Sequence, residues 1–169
     1  MEKPGNDTLI DFWYIIIGMA KTRKVQRGGQ VESLKFSGKL NVSFANTVAR
    51  GQLINQSLTL EKPLIKWPVE PDTYYTLVCI DPDAVAKSWL HWLVINCDGP
   101  TPESGSEIVK WAPPTPPSGT HTYYFCLFSH TYKLVIDAPK QRGYFKIDEF
   151  AKNNGLYKRR ISSIKVSSK

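Results

Sequence analysis

Apolar positions along this chain recur mostly with period two or in short unbroken runs. Leu34, Phe36, Gly38, Leu40, Val42 and Phe44 alternate with polar residues, which predicts a half-buried strand over 34–44. Tyr74 to Ile80, Trp89 to Cys97 and Thr122 to Phe128 are dense in β-branched and aromatic residues and predict central strands. Tyr132 to Ile136 predicts a further strand, and Ile161 to Val166 a returning last one. Turn chemistry separates these runs at Pro71-Asp72, Asp98-Gly99-Pro100, Ser104-Gly105 and the 113–119 run Pro-Pro-Thr-Pro-Pro-Ser-Gly. A single helix is expected, with Asp148 as N-cap, Phe150, Ala151 and Leu156 on its apolar face, and Asn154-Gly155 as its stop. The pattern predicts a mostly β domain of two packed antiparallel sheets with few short helices, and no repeat or linker divides residues 1–169.

A chain of 169 residues, 41% hydrophobic and 12% aromatic, can bury a full core without metal or disulfide support. Cys79, Cys97 and Cys126 are odd in number, far apart and set within strand-like runs, which fits buried reduced thiols in a cytoplasmic protein. The longest apolar stretch, Phe12 to Ala20, has nine residues, against roughly twenty for a membrane-crossing helix. It follows Asp7 and Asp11, unlike the basic start of a secretory signal, so the chain reads as soluble and not exported. The net charge of +7 gathers in Lys21, Arg23, Lys24 and Arg27, and again after Ala151, where no acidic residue occurs. Such clusters attract phosphates, and the basic segment 157–169 is a candidate for peripheral contact with anionic membrane. A solvated surface is the plainer account of each cluster alone.

Candidate chemistry lies between Tyr74 and Phe128. Asp81 and Asp83 stand two apart and would share a face on a strand, although Pro82 places them at a strand end or rim. Two close carboxylates repel, and one could keep a proton. His91 sits within Leu90-His91-Trp92-Leu93-Val94, too apolar for a surface run. His121 and Tyr123 are also two apart, directly after a proline-glycine loop. Imidazole, phenol and free backbone N–H groups near Gly119 are donors suited to phosphate or carboxylate oxygens.

Asp81-Pro82-Asp83-Ala84, then Leu90-His91-Trp92-Leu93-Val94, then the 116–123 run Pro-Pro-Ser-Gly-Thr-His-Thr-Tyr resemble the signature of the phosphatidylethanolamine-binding protein family. That family includes Raf-kinase inhibitor proteins and plant flowering regulators. The likeness extends through Gly51-Gln52, Pro63, Ala138-Pro139, Arg142, Phe145 and Phe150-Ala151, covering about 51–156, whereas residues 1–50 fit it poorly. It implies a β-sandwich of a large and a small antiparallel sheet with an anion pocket at one end. Carried over by position, the pocket comprises Asp81, Asp83, His91, Pro117, His121 and Tyr123. The resemblance implies a regulatory binding protein, not an enzyme, with no cofactor. Its ligand would be a phosphate-containing small molecule or phospholipid head group, and its partners would be signalling proteins. The chain departs from the pattern at Val85 in place of proline, in a shortened 84–90 loop, and at Thr122 in place of arginine. The helix that ends mammalian members has no counterpart in the basic tail.

Plainer accounts exist for each residue. His91 could be a satisfied core histidine, His121 a turn residue, and Asp81 a cap for the Pro82-Asp83 turn. His130 fits no motif and reads as structural or exposed. Three rival functions remain: a zinc or iron site from two histidines and two aspartates, a hydrolase with His91 as base oriented by an aspartate, and nonspecific nucleic-acid contact through the tail. The hydrolase lacks a recognisable nucleophile. The tail lacks stacking aromatics beyond Tyr157, so specific nucleic-acid binding is not expected.

Overall fold

The computed structural model describes residues 40–168 except Asn46, with the side chains of Lys158 and Arg159 also left aside. The first basic cluster, the Phe12–Ala20 stretch and the start of the 34–44 strand lie outside the described residues.

Eight strands form two antiparallel sheets. The small sheet holds β1 (Asn41–Phe44), β2 (Thr47–Val48) and β3 (Leu64–Lys66) in the order β2-β1-β3. The large sheet holds β4 (Tyr74–Asp81), β5 (Trp89–Cys97), β6 (Ser106–Val109), β7 (Thr120–His130) and β8 (Tyr157–Ser167) in the order β6-β5-β4-β7-β8. One α-helix, α1 (Ile147–Asn153), and two short 3-10 turns, Gln56–Thr59 and Pro102–Ser104, complete the described elements. Residues 51–54 run beside β8, with Leu53 bridged in parallel to Lys165.

The large sheet is apolar on both faces, which explains its near-continuous hydrophobic strands. One face meets the small sheet. There Tyr75, Leu77, Cys79, Phe125, Leu127, Ile164 and Val166 pack against Val42, Phe44, Ile65 and Trp67. The other face, with Val78, Ile80, Leu93, Ile95, Cys126 and Phe128, is covered by Leu134, Phe145, Ile147 and Ala151. Burying each such aliphatic or aromatic side chain contributes about 1.5–3 kcal/mol. All three cysteines are buried free thiols, as their strand positions implied.

Two expectations need correction, and a third is extended. Tyr132 to Ile136 is not a strand: Leu134 is buried, but its backbone is taken by a side chain. Asn96, held at φ 57, donates through Nδ2 to the Leu134 carbonyl at 2.9 Å and accepts from the Leu134 N–H at 2.7 Å. This clamp satisfies the groups that a neighbouring strand would otherwise need. The helix is also capped differently. It begins after Lys146, so Asp148 lies within the first turn, while Asn154 and Gly155, at φ 56, end it as expected. The last strand expected over 161–166 is present and longer, taking in most of the basic segment as the 11-residue β8, paired with β7 from Thr120↔Ser167 to Ser129↔Tyr157.

Among the described residues, no helix is long and apolar enough to cross a membrane.

Candidate functional site

Strand alternation brings the acid, imidazole and phenol groups to one end of the inter-sheet face. Tyr75, Leu77 and Cys79 of β4 point toward the small sheet, and Asp81 continues that row as a buried carboxylate. On the neighbouring β7, Phe125 and Leu127 point the same way, and Tyr123 and His121 continue their row toward the same end. His91 reaches this face by a different route. Cys79 pairs with Trp92 and Ile80 with Leu90, so His91 is the extra residue of a β-bulge. A bulge re-aims the side chain it carries. Here the imidazole lies edge-on to Tyr123, ring centroids 5.1 Å apart, with Trp111 behind it at 6.4 Å.

His121 donates from Nδ1 to Asp81 Oδ2 at 2.7 Å, in a buried pair. The other Asp81 oxygen, Oδ1, accepts the Asp83 N–H at 2.9 Å, so Asp81 both orients His121 and caps the Pro82-Asp83 turn. His121 also stacks over Tyr123, with centroids 6.5 Å apart. His91 donates from Nδ1 to the Ala112 carbonyl at 2.6 Å, and its own carbonyl accepts the Ala112 N–H at 2.9 Å. Both imidazoles therefore have Nδ1 committed to the protein, and among the described residues no hydrogen bond engages either Nε2. Burial pushes the His91 pKa below its ordinary value, against the pull of Asp81. Burial and the adjacent Asp81 push the Tyr123 phenol well above the usual tyrosine range. His91 is thus neutral and Tyr123 a fully protonated donor at pH 7.

Asp81, His91, His121 and Tyr123 meet as the sequence suggested. Asp83 does not share their face: β4 ends at Asp81, and the exposed Asp83 carboxylate accepts the Thr122 N–H at 2.8 Å. The same-face argument fails because Pro82 stops the strand one residue earlier. Pro117 is exposed in the 113–119 loop ahead of β7. The expected hydrolase pairing also changes, since the aspartate orients His121 while His91 leans on a backbone carbonyl. Among the described residues, no three His, Cys, Asp or Glu side chains group as metal ligands. His130 is a fully buried structural residue, joined to the Thr76 hydroxyl at 2.9 Å and the Tyr132 carbonyl at 2.6 Å.

Sequence reasoning gave no role to Trp111, which lines the cluster between His91, Trp92 and Phe125. Its run, Val109 to Ala112, offers only hydrophobicity as a signal.

Comparison with known proteins fixes the lineage. The sequence profile described as phosphatidylethanolamine-binding protein matches residues 22–164. The chain belongs to that family. The match begins well before Gly51, so the upstream segment carries more of the family pattern than its contiguous motifs showed. The chain is 34% identical over 140 residues to Protein BROTHER of FT and TFL 1 of Arabidopsis thaliana, spanning 76% of this chain and 79% of that protein. It is also 34% identical over 119 residues to Protein TWIN SISTER of FT of Arabidopsis thaliana, spanning 64% and 68%. The fold matches the crystal structure of Escherichia coli YbcL, a member of the mammalian PEBP family, with a TM-score of 0.59 at 16% identity. That match covers 78% of this chain and 99% of YbcL. The two-sheet β architecture is that of the family, whose members are generally regulatory binding proteins.

Proposed function

We propose that this protein is a non-enzymatic cytoplasmic regulator. It binds a small phosphate-bearing group, such as a phospholipid head group, at the Asp81–His91–His121–Tyr123 cluster, and it modulates protein partners in signalling. The observation that supports this most is the commitment of both imidazole Nδ1 atoms, to Asp81 and to the Ala112 carbonyl. Each Nε2 then serves a guest, and the protonated Tyr123, hydrogen-bonded to Asp81, has its ring against both imidazoles. Cluster and guest would differ in sign only when the imidazoles are charged. A neutral Nε2 accepts, whereas a protonated Nε2 donates to an anion oxygen. Burial holds the His91 pKa below the ordinary histidine value, so anion binding strengthens as pH falls below that range.

Calorimetry with O-phosphorylethanolamine at pH 5.5, 7 and 8 tests this, with sulfate as an anion that does not titrate there. The expected result is tighter binding at pH 5.5 for both anions, with the pH dependence lost in His91→Gln, which keeps a donor toward the Ala112 carbonyl. Flat affinity across that span, or unchanged binding by the variant, overturns the reading. Peripheral membrane contact through β8 is a narrower part of the proposal. Lys165 is exposed there, whereas Arg160 is held by the Pro68 carbonyl at 3.0 Å and by Glu70. Co-sedimentation with phosphatidylserine vesicles should fall in Lys165→Glu, and an unaltered bound fraction removes that part.

A further inference from the structure

The bulge that aims His91 creates a local problem. An extra residue on one strand disrupts the ladder and strands backbone carbonyls that a regular strand would pair. Arg142 answers it. Its Nη1 donates to the Leu90 carbonyl at 3.2 Å and the His91 carbonyl at 3.1 Å, and its Nη2 donates to the Lys110 carbonyl at 2.8 Å. The Arg142 carbonyl in turn accepts the Leu90 N–H at 2.8 Å. Among the described residues, no carboxylate forms an ion pair with this guanidinium. Its reach goes to three carbonyls on two segments: the bulge itself, and the stretch leading to Trp111 and Ala112.

We infer that Arg142 is a positioning residue that sets the angle and tautomer of His91 by fastening the bulge to the segment bearing its Nδ1 acceptor. A planar fork with several donors suits this task, whereas a lysine ammonium is a single point charge. The inference builds on the anion-binding reading for its functional consequence, though not for its geometry. The groups facing His91 are Asp81 from β4, His121 and Tyr123 from β7, Trp111 after β6, and Arg142 itself. Arg142 also lies close enough for its charge to oppose a second positive charge on the imidazole.

The test uses Arg142→Lys and Arg142→Gln in the full chain, with imidazole nitrogens followed by NMR against pH. In the native protein His91 should show one fixed tautomer, protonated at Nδ1, and titrate below an ordinary histidine. In both folded variants the expected result is tautomer averaging and a titration midpoint displaced from the native one, with Arg142→Lys recovering only part of the native behaviour. Affinity for O-phosphorylethanolamine should drop about tenfold, the scale of one hydrogen bond to a charged group. A merely structural arginine would lower the melting temperature and leave the His91 tautomer and midpoint unmoved, and that result overturns the inference. Should the native protein bind no phosphate compound, the anion reading falls while the imidazole spectra still decide the role of Arg142. If the glutamine variant does not fold, the lysine variant, which keeps the charge but not the planar fork, decides alone.

Discussion

Asp81 carries an unusual load for one side chain. It accepts from the Asp83 N–H and from His121, and it is buried beside His121. Removing this buried carboxylate leaves the donors it satisfies without a partner, which costs about 3 kcal/mol. Asp81→Ala should therefore lower stability by about that amount, read from urea unfolding, whereas Asp83→Ala, on an exposed carboxylate, should cost about 1 kcal/mol for its hydrogen bond. Equal losses would show that the two acids share one role. The histidines make a second prediction at this scale. Burial holds the pKa of His91 and of His130 below the ordinary value. The unfolded chain, with imidazoles near 6.5, takes up those protons first as pH falls. Stability from these residues is thus complete above about pH 6.5 and lost progressively below it. The urea midpoint should drop between pH 7.5 and 5.5, and a constant midpoint would contradict the assignment.

Whether an element could be read from the sequence depended on whether its contacts were local. Trp89–Cys97 was legible to the residue because β-branched and aromatic side chains fill both faces of that strand. Tyr132–Ile136 has the same composition, yet it is fixed by one Asn96 side chain from a strand some 38 positions away. No local pattern announces such a clamp. The end of α1 was legible because Asn154-Gly155 is a chemical stop, and it can be tested. Gly155 has φ 56, and a β-carbon there would fall on the Tyr132 hydroxyl, which donates to the Asn154 carbonyl at 3.0 Å. Gly155→Ala should destabilise by about 1–2 kcal/mol through the positive φ and the lost hydrogen bond, measured by thermal unfolding. A neutral result would mean that this helix end is free to rearrange.

At the scale of the molecule, the two-sheet class was visible from period-two patterning, and four of six expected site residues do converge. Asp83 and Pro117 are exposed, and the Asp83 carboxylate accepts the Thr122 N–H between His121 and Tyr123, so motif order places residues along the chain but not at a depth. The bulge at His91 was invisible for a related reason, since a one-residue register shift leaves no mark in composition. The C-terminal stretch reads both as a basic tail and, over 161–166, as a returning strand, and the strand reading holds. In β8, Ile164 and Val166 are fully buried beside the small sheet. Ending the chain at Leu156 should abolish cooperative unfolding, as seen by circular dichroism, because β7 then loses its partner along the whole ladder. A truncated protein that melted sharply would restore the tail description.

The order β6-β5-β4-β7-β8 also bears on biosynthesis. His121 and Tyr123 sit on a strand flanked by β4, about forty residues earlier, and by β8, about forty later. During translation the greasy hairpin of β4 and β5 must wait for the rest of its sheet, and only after β8 clears the ribosome can the strand carrying His121 and Tyr123 be flanked on both sides. Chaperone demand should therefore peak late in synthesis, and ribosome-bound fragments stalled before that point should be sticky and inert.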